Sequence, residues 1–221
     1  MVSNNRAGGE YVGVLLKAAF GDRVRREWAY ENDVDTPDWF VIEGDRAVVI
    51  EVKQSGQFRL SKMWGHLDDL RKDLRKTLGH ALGQLHRFDD ALARRSSGLE
   101  ALTEVRRMER LVISYDEISW ANWVLRDVAR EASGVPEGFY AHFASVHDLE
   151  RMLAHCWQGS MFDLLERKRS GKESHAEMDF HDWLTIELDP EGQARNPFLE
   201  AKLDQTFEAW GLESSANRTQ P

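Results

Sequence analysis

Apolar positions along the chain switch between two spacings, and the switches outline its elements. Residues 8–20 carry a helical period, with Tyr11, Leu15 and Ala18 on one face and Gly21 as a stop. Residues 24–30, with Val24, Trp28 and Tyr30, suit a strand, and Asp35-Thr36-Pro37 is a turn signal. Residues 38–42 predict a strand, Glu43-Gly44-Asp45-Arg46 a hairpin turn, and residues 47–53 a second and stronger strand. Leu67, Leu70, Leu74, Leu78, Leu82, Leu85 and Leu92 then recur at three- and four-residue steps. This predicts one long helix or two over 62–95, ending near Ser96-Ser97-Gly98. A buried strand is expected at 110–115, a helix at 118–132 with Trp120 and Trp123, and a last strand at 139–145. A short helix follows from Asp148 to Cys156, with Val146 or His147 near its cap. An amphipathic helix at 197–210 and a frayed end at 213–221 complete the reading. Strands alternating with helices in this order predict an α/β fold, a mixed sheet with helices on its faces.

Composition narrows the class. With 42% hydrophobic and 30% charged residues in 221, the chain is globular and long enough to bury a core without disulfides. One domain with additions is the default, and two small ones remain open. The single Cys156 cannot form an internal bridge. No apolar run approaches a membrane span, and the first residues lack the apolar segment of a signal peptide, so a cytoplasmic protein is expected. The formal charge of −9 is unevenly spread. Residues 1–110 hold 19 basic and 18 acidic side chains, and residues 111–221 hold 10 and 20. A polyanion would therefore bind the first half.

Candidate chemistry concentrates around the hairpin. Along 47–53, Val48, Ile50 and Val52 point to one face, and Val49, Glu51 and Lys53 to the other. A buried strand excludes a carboxylate and an ammonium unless they pair or hold a metal. If 38–42 pairs with 47–53 through the turn, Asp38 returns beside Glu51, so two carboxylates and a lysine converge. Two hard oxygen donors suit Mg²⁺, with Mn²⁺ as a substitute, and such an ion beside a phosphate supports phosphodiester hydrolysis. Lysine adds a positive charge that can orient the nucleophile or stabilise developing negative charge.

Pro37-Asp38 followed by Glu51-Val52-Lys53 at the end of an apolar strand resembles the PD-(D/E)xK, or restriction-endonuclease-like, nuclease superfamily. The resemblance spans roughly residues 8–155. It implies a central mixed sheet of about four to five strands flanked by helices, with a nuclease-like core over 1–158 and a C-terminal helical extension over 159–221. It further implies that Asp38, Glu51 and the Val52 carbonyl bind metal, that Lys53 is the catalytic lysine, and that Glu10 on the first helix is an auxiliary acid. Some members carry Gln-xxx-Tyr on the helix after the lysine strand. Here Gln84, thirty-one residues beyond Lys53, is followed at that spacing by Phe88. By analogy a homodimer or a larger defence or repair complex is expected.

Other features read more plainly. Glu166-Arg167-Lys168 and Glu200-Ala201-Lys202 share the Glu-x-Lys spacing but lie in charged helical patterns, and predict solvated surface. Arg71, Lys72, Arg75 and Lys76 form a basic face that either contacts phosphate or is balanced by Asp68, Asp69 and Asp73. The eight histidines lack zinc-site spacing, no Gly-rich phosphate loop is present, and Cys156 has no nucleophile signature. Most tryptophans, Trp120 and Trp123 above all, are expected in the core, with base stacking by Trp64 or Trp157 the alternative. The expected function is a Mg²⁺-dependent nuclease acting on DNA by preference. The alternatives are a catalytically silent binding subunit of the same fold or an RNA-directed nuclease.

Overall fold

The computed structural model describes residues 5–53, 72, 74–115 and 121–210. Among the described residues are seven strands, the first five consecutive: β1 (Val24–Arg26), β2 (Ala29–Tyr30), β3 (Val34–Asp35), β4 (Trp39–Glu43), β5 (Arg46–Lys53), β6 (Arg107–Ser114) and β7 (His142–Ser145). Eight α-helices are described: α1 (Asn5–Phe20), α2 (His80–Ala93), α3 (Arg126–Ser133), α4 (Val146–Cys156), α5 (Met161–Ser170), α6 (Glu173–Glu177), α7 (Phe180–Trp183) and α8 (Pro197–Ala209). Wider π-type turns lead into α2 (Arg75–Gly79) and α3 (Ala121–Leu125).

Five strands form one mixed sheet in the order β1-β4-β5-β6-β7, while β2 and β3 pair separately. The β1-β4 and β4-β5 pairs are antiparallel; β5-β6 and β6-β7 are parallel. Gly44 takes φ 69° at the first loop position between the paired Glu43 and Arg46. A two-residue hairpin with glycine first needs that sign of φ. This tight turn fixes the register Trp39↔Ile50.

Both faces of the sheet are buried, making three layers. Val41, Val48, Ile50, Leu111, Ile113 and Ala144 face a cluster built by α1, α4, α5 and α7. Phe40, Val49, Val112 and Phe143 face a second cluster built by α2 and Ala129 of α3. Residues two apart on a strand share a face, so the near-continuous apolar run of β5 is what a doubly covered strand requires. Ser145 starts α4 with a capping box: its hydroxyl accepts from Asp148 N, and the Asp148 carboxylate accepts from Ser145 N. Such a cap contributes about 1 kcal/mol and directs α4 back along the sheet.

Several expectations are corrected. The buried stripe of α1 is Val12, Leu15, Leu16, Ala19 and Phe20, whereas Ala18 is exposed. The expected strand at 24–30 is broken into β1 and β2, which belong to different sheets. Only 142–145 of the expected 139–145 strand is extended in the sheet. Lys168, expected at a solvated surface, is fully buried. Its ammonium donates to the carbonyls of His175 (2.8 Å) and Met178 (2.6 Å) and lies 4.8 Å from the Phe180 ring centre. The loop and short helices after α5 fold back over that helix and cover it. Met161, Phe162, Leu165, Phe180 and Trp183 join the same apolar cluster as α1.

Arg71, Asp68, Asp69, Asp73, Trp64, Trp120 and the frayed end at 213–221 lie outside the described residues, as does the side chain of Trp123. Trp157 is half-buried against the α1 cluster. Among the described residues, no helix is long and apolar enough to cross a membrane.

Candidate active site

The hairpin brings Asp38 and Glu51 together because the β4-β5 register ends at Trp39↔Ile50, and one further step sets Asp38 opposite Glu51. Directly opposed residues have Cβ atoms about 4.5–5.5 Å apart. Two anchors hold Asp38 in place. Thr36 Oγ1 accepts from Trp28 N at 3.1 Å and Thr36 N donates to Trp28 O at 3.0 Å, pinning the preceding turn. The Trp39 indole N–H donates to Gly9 O at 3.0 Å, tying the start of β4 to α1. Gly13, one turn further along α1, makes room: a Cβ there would lie 2.1 Å from Trp39 Cζ2.

Asp38 Oδ2 accepts from Val52 N at 2.6 Å. Lys53 Nζ donates to Glu51 Oε1 at 2.5 Å and to Gln84 Oε1 at 2.6 Å. The predicted trio thus meets at the carboxyl end of β5, on the sheet face covered by α2. Glu51 is buried, its side chain 4% exposed against 18% for Lys53. Burial, followed by the neighbouring Asp38 charge, pushes the Glu51 carboxyl up to about 7, against the pull of Lys53. Burial also raises Asp38, opposed by the Val52 N–H, Lys53 and Arg26. The site therefore holds more carboxylate than its lysine neutralises.

Gln84 is drawn in by helix geometry. Leu78, Ala81, Leu82 and Leu85 bury one stripe of the π-type turn and α2, and Gln84 beside that stripe faces the end of β5. Phe88, in the place of the tyrosine of the Gln-xxx-Tyr pattern, is core: it packs at a tilt against Phe40 and meets Tyr30 edge-on. His80, one turn before Gln84, is held below its ordinary pKa by loss of solvent and then by Lys53 and Arg87, while a hydrogen bond with Gln84 works the other way.

The remaining expected residues fall differently. Glu10 is exposed on α1. Glu27 acts on Glu51, and its backbone N–H donates to Asp38 O at 2.8 Å, which sets it just past the end of β1 and beside Asp38. The signal for it was the strand expected at 24–30, which lacked a register. The Val52 side chain packs into the α1 cluster and its N–H serves Asp38. Lys72, Arg75 and Lys76 are exposed, and Arg75 lies beside Val128, Glu131 and Ala132, towards α3. Cys156 is buried, donates to Met152 O and has its thiol pushed up to about 12 by burial.

Among the described residues, no group of three or more His, Cys, Asp or Glu side chains is arranged to hold a metal ion by itself. The donor set at Asp38 and Glu51 suits an ion of another habit. Mg²⁺ is commonly held by one or two carboxylates, with waters and substrate phosphates completing its shell. Each carboxylate has one oxygen engaged, by Val52 N–H or by Lys53, and a second oxygen outside those two bonds. No protein-family profile, curated protein or solved structure matches the chain.

Proposed function

We propose that the chain is a Mg²⁺-dependent nuclease of the PD-(D/E)xK, restriction-endonuclease-like kind, hydrolysing phosphodiester bonds in DNA by preference. The observation that carries this reading is the convergence of Asp38, Glu51 and Lys53 at the end of one buried strand, with Lys53 bonded to both Glu51 and Gln84. Its support is physical. Two carboxylates share one lysine here, and setting the half-buried Asp38 beside the buried Glu51 is costly unless a further cation balances the pair. A lysine held at two points is oriented for a defined task.

In this reading Asp38 and Glu51 hold the ion, which supplies charge stabilisation at the phosphate and a more acidic bound water. Lys53 orients the attacking water and offsets negative charge developing on the phosphate oxygens. Gln84 accepts from the ammonium and fixes its direction. Val52 N–H holds the Asp38 carboxylate in its rotamer.

The test is cleavage of plasmid, linear duplex, single-stranded DNA and RNA side by side in Mg²⁺, Mn²⁺ or EDTA. Wild-type protein should cut DNA only with metal, and Asp38→Ala, Glu51→Ala and Lys53→Ala should each abolish cutting with far-UV circular dichroism unchanged. Equal cutting by purified Lys53→Ala removes the nuclease reading. Absence of cutting together with absence of Mg²⁺ or Mn²⁺ binding at Asp38 and Glu51 points to a silent scaffold. Preference for RNA overturns the choice of substrate alone.

A further inference from the structure

The outer face of α2 carries a line of cationic and donor side chains that starts beside the lysine site. His80, Arg87 and Arg94 are spaced seven residues apart and are all exposed. Seven residues make nearly two helical turns, so the three stay on one side of the helix. Successive members lie roughly 10 Å apart and the whole line covers roughly 20 Å. Gln84, slightly further round towards the sheet, bonds Lys53 at the near end.

Charge effects among these groups follow the same line. Lys53 and Arg87 both act on His80. Arg87 and Arg94 both act on the Tyr30 phenol, with Glu31 the opposing carboxylate there. Arg87 folds back along the helix: its Nη1 lies 3.3 Å from the place of a Cβ on Gly83. Several arginines elsewhere are spent on carboxylates: Arg46 on Asp163, Arg107 on Glu166, Arg110 on Asp89 and Arg130 on Asp127. Among the described residues, Arg87 and Arg94 have no such ion pair, and Asp90 on the same helix faces His86 at 3.9 Å.

We propose that this face of α2 is a track for a nucleic-acid backbone, with Arg87 and Arg94 contacting phosphates and His80 donating at the end nearest Lys53. The shape decides the ligand class. Exposed guanidiniums strung along a helix match an extended polyanion rather than a small anion. The interval of roughly 10 Å equals about three steps of one DNA strand at 3.4 Å each. The choice of DNA rests on the nuclease reading, since the track leads away from its lysine.

The experiment is fluorescence anisotropy of a short fluorescein-labelled single strand and the matching duplex with the full chain in EDTA, over a series of salt concentrations. Arg87→Gln and Arg94→Gln should each weaken binding about 3- to 10-fold, and the double variant should flatten the salt dependence by about two phosphate contacts. Arg195→Gln, exposed before α8, should bind as wild type. Circular dichroism and thermal melting confirm folding, and Arg87→Lys should restore most of the Arg87→Gln loss. Wild-type affinity and salt slope in the double variant overturn the track, as does absence of DNA binding by the wild type. Metal-dependent cleavage alongside an indifferent double variant leaves the nuclease reading standing and removes the track. Arginine-dependent binding without cleavage in any metal does the reverse.

Discussion

Lys53 and Gln84 are joined at 2.6 Å across thirty-one residues of chain, so the lysine at the end of β5 answers to α2 as well as to its own strand. The ammonium has a charged partner on one side, Glu51, and a neutral acceptor on the other. Glu51 neutralises it; Gln84 gives it direction.

On the nuclease reading proposed above, Gln84→Ala should slow metal-dependent DNA cleavage by about 10- to 100-fold, the worth of one hydrogen bond to a charged group. The loss should fall on kcat rather than KM, because the ammonium is misdirected rather than removed. Gln84→Glu keeps an acceptor in place and should recover part of the rate. Steady-state kinetics on a labelled duplex checks both; an unchanged kcat for Gln84→Ala would show that Glu51 alone positions the lysine.

Gly13 is where α1 admits Trp39, the residue next to Asp38. A methyl group placed 2.1 Å from the indole must displace a ring that is 4% exposed and bonded to Gly9 O. Gly13→Ala should destabilise the protein by about 1–3 kcal/mol, as overpacking does, although alanine favours the helix by up to about 1 kcal/mol. Urea unfolding followed by circular dichroism measures the balance, and equal or greater stability would mean that Trp39 moves at no cost.

The hairpin and the shared face of Asp38, Glu51 and Lys53 were legible because they depend on local signals: an apolar run, a Gly turn and the two-residue alternation of a strand. Gln84 was only half legible. Its helix was visible in the leucine spacing, but its angle to β5 depends on where α2 docks against Phe40 and Val49, and no local pattern encodes that. Glu27 was hidden for a similar reason, since β1 pairs with β4 in a register that short, poorly alternating strands do not announce. Lys168 misled outright. In sequence it sits in a charged helical stretch, and only the return of the chain at 175–184 supplies the carbonyls and rings that enclose it.

That enclosure has a pH signature. Burial, which outweighs the attraction of Asp179, lowers the Lys168 ammonium to about 7. The unfolded chain keeps this proton up to about 10.5, so between pH 7 and 10 it binds more protons than the folded chain. Stability from this group must then rise with pH across that window, by at most about 1.4 kcal/mol per unit. Lys168→Met lacks the contribution, so its stability relative to wild type should fall from pH 7 to pH 9 in urea titrations. Parallel pH curves for the two proteins would show that the buried amine keeps its proton.

On the edge strand β7, His142 makes the opposite test. It is fully buried, with Nε2 3.4 Å from Glu109 Oε2 yet without an aligned hydrogen bond, and Arg169 pairs with the other Glu109 oxygen at 2.8 Å. Burial lowers the imidazole to about 4, despite the attraction of Glu109. The folded chain therefore refuses a proton that the unfolded chain accepts below about 6.5. The stability contribution is intact above 6.5 and is lost as pH falls towards 4, again by at most about 1.4 kcal/mol per unit. Glu109 itself, held below its ordinary range by His142 and Arg169 against the cost of burial, adds a loss of the same sign at lower pH. His142→Gln should thus be less stable than wild type at pH 7, where it disturbs a packed ring, yet close part of that gap by pH 4.5. Unfolding free energies at pH 7, 5.5 and 4.5 check this, and a gap that stays constant or widens on acidification would mean that His142 takes up its proton inside the fold.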